Sequence, residues 1–259
     1  MFIVGSNVMK FSIITVSINS AATIETTLSS VAGQTYSNIE HIIVDGGSTD
    51  GTLDLINRYR SGLSHVISEP DNGIYDAMNK GLALATGEVV GILNSDDLYA
   101  GPQVLERIAG VFSDPAIDAC YADLVYVRPE NLEQVVRYYS GSGFIPDKFA
   151  WGWMPPHPTF FVRRALYEQY GVFKTDYQIA ADFELTARFL SYHKVRYTYL
   201  PEVTVLMRTG GVSTRNLRSN WILNREIIRA CTENGIKTNI FKVYTKYFRK
   251  VAQLFVRPA

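Results

Sequence analysis

The chain has 259 residues, 47% of them hydrophobic, with 25 basic side chains against 25 acidic ones. That length suits one large α/β domain or two small ones, and the balanced charge gives no global field for nucleic acid, so no nucleic-acid partner is expected. Cys120 and Cys231 lie far apart and outside any CxxC spacing. They support neither a zinc site nor a disulfide framework and read as free thiols in a reducing compartment. The apolar start MFIVGSNVMKF lacks a basic n-region and a small-residue cleavage site. No run approaches the roughly 20 apolar residues of a membrane span. The expectation is a cytoplasmic protein, soluble or peripheral on the inner face of the cell membrane.

Strand and helix signals alternate over the first hundred residues. FSIITVSI (11–18) is a β-branched run, followed by a helix with Ile24, Leu28 and Val31 on one face. IEHIIVD (39–45) is a second strand ending on a carboxylate, GGSTDGT a turn with several candidate N-caps, and LDLINRY the helix it opens. HVISE (65–69) is a third strand, GIYDAMNKGLALATG a helix closed by Gly87, and VVGIL (89–93) a fourth strand. Such alternation implies right-handed βαβ units and a mainly parallel sheet. After Pro102 a helix (103–112) precedes two strands, IDACYADLVYV and LEQVVRYY, joined by the Arg128–Asn131 turn. Residues 140–158 form a long irregular stretch rich in Gly, Pro and aromatics, of the kind that is usually functional. TFFVRRALYEQYG reads as strand then helix, DFELTARFLSY as a helix, RYTYLPEVTVLMR as extended and TGGVSTRN as a flexible loop before two helical stretches. No internal repeat or low-complexity segment is present.

Ligands of open parallel sheets bind at the carboxyl ends of the strands. Here those ends carry Ser17 and Asn19, then Asp45, then Glu69 and Asp71, then Asn94, Asp96 and Asp97. A rim of carboxylates repels a bare diphosphate, so a divalent metal is the natural mediator, and hard oxygen ligands suit Mg²⁺ or Mn²⁺. Neither the GxGxxG of a dinucleotide site nor a P-loop is present; the turn after the first strand reads SINSAAT. Asn72, Asp76 and Lys80 recur at helical spacing, as a pocket wall or a solvated stripe. Lys80 and Arg208 are the basic candidates for the diphosphate, with the TGGVS glycines able to form a lid. Trp151, Trp153 and His157 lie in the long loop, where aromatic faces suit a ring-shaped ligand or fill the core beneath the loop. Each acid also has a plainer reading: Asp45 as a turn cap, Asp96 as an Asx-type cap before the Pro102 helix, Asp97 as a solvated turn residue, and Asp182 as a carboxylate favoured by a helix start.

These segments resemble family 2 glycosyltransferases of the GT-A fold, the kind that builds bacterial surface polysaccharides. The resemblance runs over roughly residues 11–215 through ITVSINSAATIETTLSSVAGQTY, IIVDGGSTDGT, EPDNGIYDAMNKGLALATGE, the DxD-like NSDD, and AADFEL. Val16–Ser17–Ile18 stands where Pro-Val-Tyr is common, and Ala181–Asp182 where Glu-Asp is frequent. The resemblance implies an α/β, Rossmann-like fold with a mostly parallel central sheet flanked by helices and a C-terminal helical extension. The GT-A domain would occupy 1–215, with a nucleotide-binding half over about 10–100 and an acceptor half over about 101–215, and the extension 216–259. It also implies roles: Val16, Ser17 and Asn19 line the nucleotide pocket, Asp45 contacts the base, Asp96 lies near the ribose, Asp97 ligates the metal and Asp182 is the general base. With Asn72, Asp76, Lys80, Asn94 and Arg208 these make up the expected donor and metal site.

One metal and one base give a single in-line displacement with inversion, moving a sugar from a nucleotide-sugar donor to a hydroxyl of a glycan or lipid-linked glycan. A sugar nucleotidylyltransferase would need a Gly/Arg-rich triphosphate loop after the first strand. A non-catalytic nucleotide- or carbohydrate-binding module would have no need of Asp97 and Asp182. The tail over 239–257 places Ile240, Tyr244, Tyr247, Phe248, Val251 and Phe255 on one helical face and Lys242, Lys246, Arg249 and Lys250 on the other. That pattern fits an anionic membrane surface, the protein's own domain or a second copy in a homodimer. The QxxRW motif of processive family members is absent, so one sugar per encounter is expected.

Overall fold

The computed structural model describes residues 8–210 and 217–247. The first half alternates as its sequence implies: β1 (Phe11–Ser17), α1 (Ile24–Ala32), β2 (Ile39–Asp45), α2 (Thr52–Arg58), β3 (His65–Ser68), α3 (Ile74–Leu84) and β4 (Val89–Ile92). The four strands are parallel in the order β3-β2-β1-β4. All of β1 is buried, as befits a strand covered on both faces. Ile14, Val16, Ile42 and Val44 meet Tyr75, Met78 and Leu82 of α3, while Ile43 packs with Ile24, Leu28 and Ile56 of α1 and α2.

The second half comprises β5 (Asp97–Tyr99), α4 (Val104–Phe112), β6 (Ala119–Arg128), β7 (Asn131–Tyr139), β8 (Phe161–Arg163), α5 (Arg164–Tyr170), α6 (Ala181–Ala187), β9 (Tyr197–Arg208), α7 (Leu217–Glu233) and α8 (Ile240–Tyr244). It extends the same sheet through β8, β6 and β9 to β5, with β7 hairpinned to β6. Pairing here is mixed: β8 runs antiparallel to β4 and β6, β5 antiparallel to β9, and β6 parallel to β9. A flat sheet would separate β4 from β5 by four strand spacings, roughly 19 Å. The link from Ile92 to Asp97 reaches at most about 17 Å. The sheet therefore curls, bringing its far edge back against α1, where the Thr27 hydroxyl donates to the carbonyls of Ser95 and Asp97 at 3.0 and 2.7 Å.

Three local expectations are corrected. The helix before β4 ends at Leu84 rather than at Gly87. Gly87 lies in the turn beyond, where a Cβ would fall 2.6–2.8 Å from Ser12 and the Lys10 carbonyl. Asp96 caps no helix; Gln103 precedes α4, without a side-chain cap. In the tail, Ile240 and Tyr244 share an exposed side as grouped, but Lys246, expected on the solvated basic face, is buried beside Val243. Val243 and the Lys246 stem instead pack where Gly152 leaves room, 3.3 and 3.2 Å from the position of a Cβ there. The rest of the tail pattern, from Phe248 onward, and most of the TGGVSTRN loop lie outside the described residues. Among the described residues no helix is long and apolar enough to cross a membrane. Both cysteines are buried, and burial pushes each thiol up to about 12.

At the amino end of the parallel sheet, Glu40 is buried and fully engaged. It accepts from Ser12 Oγ, from Thr86 N and Oγ1 at 2.5 and 2.6 Å and from Gly87 N at 2.9 Å, and it pairs with Lys10 at 2.5 Å. Burial alone would raise this carboxyl, but Lys10, Ser12 and Thr86 outweigh it and hold the group at about 2. A depressed carboxyl stabilises the fold fully above its unfolded value near 4.5, and that contribution disappears as pH falls toward 2. Glu40→Gln should cost about 3 kcal/mol at neutral pH by leaving donors and Lys10 without their anion. In urea titrations across pH, the variant should lose the part of the acid dependence between 4.5 and 2 that Glu40 supplies. Gly87→Ala should cost about 1–3 kcal/mol in the same titration, because the methyl meets backbone rather than a flexible side chain.

Candidate functional site

Asp45, at the carboxyl end of β2, is fully buried. Its Oδ1 accepts from Ser17 Oγ at 3.0 Å and from Ser48 Oγ, and its Oδ2 from Gly47 N at 3.1 Å, Ser48 N at 2.8 Å and Ser68 Oγ at 2.9 Å. Burial works against the charge, yet these hydrogen bonds hold the carboxyl below its ordinary value. Five donors tie the ends of β1, β2 and β3 into one floor, so Asp45 is saturated by the protein. Asn19 clamps the neighbouring turn from a left-handed conformation (φ 47°), accepting from Thr49 N at 3.0 Å and donating its N–H to Ser48 Oγ at 2.8 Å. Val16 is closed into the core, so the surface beside this turn belongs to Ile18, 60% exposed. Asp71 reaches over the same spot: a Cβ on Gly46 would lie 2.5 Å from its Oδ2.

The Asn94–Asp97 turn forms the second part of the rim. Asp97 is fully buried, and burial together with its neighbour Asp96 pushes its carboxyl well above the usual range. Asn94 Nδ2 approaches Asp97 Oδ2 at 3.5 Å, whereas Asp97 Oδ1 and Asn94 Oδ1 are buried without a hydrogen-bond partner. Two orphaned hard oxygens fit a divalent cation such as Mg²⁺ or Mn²⁺. No group of three or more His, Cys, Asp or Glu side chains that could hold a metal occurs among the described residues. The remaining ligands would therefore come from phosphate and water, which is how Mg²⁺ is commonly held with a phosphate substrate. Arg208, expected as a diphosphate partner, is a buried strut: Nη1 donates to the Asp96 carbonyl at 2.6 Å and Nη2 to Thr26 Oγ1 at 2.8 Å.

Asp182 opens α6 and faces a cavity of about 210 Å³. Phe183 N donates to its Oδ1 at 2.8 Å, and burial raises the carboxyl despite this bond and the nearby His157. His157 also lines the cavity; burial lowers its imidazole, and both ring nitrogens lack a hydrogen-bond partner. Tyr126, on the cavity wall under the Arg137 guanidinium (3.8 Å), has its phenol raised by burial and by Asp97 and Asp182 alike. Met207, the strand partner of Asp97, lines the cavity as well. Asp182 therefore lines this space, and Asp97 lies next to it in the sheet as the strand partner of Met207.

What positions Asp182 was not legible in any motif. Glu226, from α7, accepts the backbone N–H groups of Gln178, Ile179 and Ala180 at 2.7, 2.9 and 2.9 Å, and the Tyr75 hydroxyl donates to the Ile179 carbonyl at 2.6 Å. The segment leading to Asp182 is thereby fixed from both sides. Of the loop residues, Trp153 lines the cavity and is buried against Phe144, whereas Trp151 is absent from the cavity wall and lies 45% exposed beneath Lys242. Lys80 is engaged by Glu69 at 2.8 Å and the Pro70 carbonyl at 3.1 Å, and Asp76 accepts from Asn72 N at 3.0 Å. That stripe therefore braces the β3–α3 turn.

The sequence profile of "Glycosyl transferase family 2" matches residues 12–171, more than half of the chain. A PGL/p-HBAD biosynthesis glycosyltransferase of Mycobacterium tuberculosis is 31% identical over 224 residues, covering 85% of this chain and 82% of that protein. An uncharacterized glycosyltransferase of the same species is 34% identical over 179 residues, covering 68% of this chain and 67% of its own. Among solved structures, a mannosyltransferase from Pyrobaculum calidifontis in complex with GDP-Man and Mn²⁺ superposes with a TM-score of 0.65 at 23% identity, over 98% of this chain and 72% of that one. S. aureus TarS 1-349 in complex with UDP gives 0.65 at 21% identity, over 93% and 72%. The chain spans 43% of the longer TarS structure. The curled sheet with its flanking helices is the GT-A glycosyltransferase fold, and the chain belongs to glycosyl transferase family 2.

Proposed function

We propose that this glycosyltransferase moves a sugar from a nucleotide-sugar donor to an acceptor hydroxyl on a glycan or lipid-linked glycan, with inversion and with a divalent metal, in cell-surface polysaccharide synthesis. The observation that carries the reading is a pair of buried acids, Asp97 with an unpartnered Oδ1 beside the unpartnered Asn94 oxygen and Asp182 on the wall of a cavity of about 210 Å³. The complexes of the structural neighbours with GDP-Man and Mn²⁺ and with UDP support a nucleotide-linked donor.

In this reading the base lies over the β1–β2 turns, on the floor that Asp45 organises, with Ser17, Asn19 and exposed Ile18 around it. Asp45 fixes the turn rather than offering a free oxygen. Asp96 faces the ribose. Asp97, with Asn94, would hold Mn²⁺ or Mg²⁺, which as a Lewis acid stabilises the departing diphosphate. Arg208 and Thr26 keep the Asp96–Asp97 backbone in place for that task. Asp182 accepts the proton of the attacking hydroxyl; its raised carboxyl brings it closer to the affinity that a general base at neutral pH requires. A single base opposite the leaving group permits one in-line displacement, hence inversion. Apolar walls around Asp182 keep competing water out. The acceptor half extends into the C-terminal helices, because Leu223, Ile227 and Lys246 close the cavity.

Full-length protein with UDP or GDP should melt at a higher temperature when Mn²⁺ is added, since a ligand that binds the folded state at 100 times its Kd adds about 2.7 kcal/mol. Asp97→Asn should remove the Mn²⁺-dependent part of that shift. Equal melting with and without Mn²⁺ for every nucleoside diphosphate would falsify the metal assignment. Asp182→Asn should keep the nucleotide shift and lose about 10²–10⁴-fold in transfer, read as nucleotide release in the presence of acceptor. Glu226→Ala should leave three backbone donors without an acceptor. It should lower kcat more than nucleotide affinity and cost about 1–3 kcal/mol in urea unfolding.

A further inference from the structure

The wall of the Asp182 cavity includes an imidazole that the protein does not use. Both ring nitrogens of His157 are buried, and neither has a hydrogen-bond partner. A structural histidine ordinarily ties down at least one of them. His41, buried in β2, does so with Thr15 Oγ1 at 3.0 Å. The backbone around His157 is, by contrast, well held. Pro156 and Pro158 flank it, and its carbonyl accepts from Phe160 N at 2.9 Å. Thr159 Oγ1 accepts from Ala122 N at 3.0 Å and donates to the Ala122 carbonyl at 2.9 Å, which pins the turn to β6. The imidazole itself meets Phe173 edge-on, with ring centroids 5.8 Å apart. Phe173 is fixed in turn by two hydrogen bonds to Asn79, at 3.0 and 2.8 Å. No hydrogen bond among the described residues orients the His157 ring. Its χ2 torsion is soft, so a nitrogen can turn into the cavity without breaking one. Burial lowers this imidazole and keeps it neutral, with one N–H donor and one bare nitrogen. A hydroxyl satisfies either nitrogen, because it both donates and accepts, whereas an ether or carbonyl oxygen satisfies only the N–H. At about 210 Å³ the cavity is smaller than the roughly 300–1,000 Å³ of pockets that enclose drug-sized ligands, which suits a single sugar ring with several hydroxyls.

Resting on the reading that this cavity takes the acceptor, we infer that His157 binds a second hydroxyl of the acceptor sugar while the reacting hydroxyl faces Asp182. The acceptor is then a polyol held at two points of one ring, and two points decide which hydroxyl meets the base. His157 thereby sets the position of the new linkage. A sugar with that second hydroxyl inverted or missing leaves the imidazole unpaired, and a site built for a hydroxyl rejects the analogue that lacks it. No proton transfer falls to His157 in this arrangement.

Isothermal titration of the full-length chain, without donor, with octyl glucoside, octyl galactoside and octyl mannoside tests this. The latter two each differ from the first in the orientation of one hydroxyl. The tightest of the three should shift the nitrogen resonances of the His157 ring, and one monodeoxy form of it should bind about ten-fold or more weakly. His157→Phe should bind that glycoside and its deoxy form alike, at the weaker level. His157→Gln, whose amide both donates and accepts, should keep part of the preference. UDP or GDP should raise the melting temperature of both variants as it does that of the unaltered chain, which separates loss of the contact from loss of fold. Unmoved His157 resonances, equal binding of every deoxy form, a His157→Phe protein that still discriminates, or no binding of any of the three glycosides overturns the inference. So does loss of the nucleotide shift in both variants, which would make His157 part of the framework. None of these measurements needs turnover, so their failure leaves the transfer reading standing, and that reading stands or falls on Asp182→Asn.

Discussion

One buried carboxylate holds the nucleotide end of the sheet together. Asp45 gathers hydroxyl and backbone donors from the ends of three strands and from the turn that follows its own. Without it, β1, β2 and β3 would end in separate loops, each with unsatisfied donors. With it, they end in a single platform whose surface is set by Asn19, Ile18 and Asp71. In the proposed reading, whatever is placed on that surface depends on its rigidity. The charge that makes Asp45 suitable is consumed in this task, which leaves the chemistry to acids elsewhere.

Those acids are separated in sequence and joined by curvature. Asp97 begins an edge strand on the far side of the sheet, yet it lies one short link from β4. Only a curled sheet satisfies both facts. The curl delivers Asp97 to the side of α1 and carries β6, β7 and β9 around the cavity that Asp182 faces. Arg208, at the end of β9, then locks the Asp96 carbonyl in place. Architecture and electrostatics serve one end here: two carboxyls kept out of water, one short of partners and one beside an open space.

The parallel half of the sheet was legible because β-branched runs and the Ile24–Leu28–Val31 stripe report burial directly. NSDD and ADFEL located both acids, since spacing along a strand end and a helix start survives folding. The β5–β9 pairing escaped notice because Asp97–Tyr99 is too short to show periodicity. Arg208 was misjudged for a related reason: a sequence shows that a cation is present, not that a carbonyl and Thr26 already occupy it. The burial of Val16 and of Lys246 was not legible because packing against one particular neighbour, α3 or Gly152, overrides pattern. Glu226 could not be found at all, as a carboxylate accepting three backbone N–H groups has no fixed offset from them.

The contribution of α7 also has a temporal side. Residues 178–180 leave the ribosome with their N–H groups aimed at an acceptor that arrives almost fifty residues later. Until Glu226 emerges, those N–H groups have no carboxylate to meet, and the segment bearing Asp182 lacks that anchor. A polypeptide that ended before α7 would lack the one carboxylate that collects these three N–H groups, so the anchoring of the segment before Asp182 is the last of these links to become available.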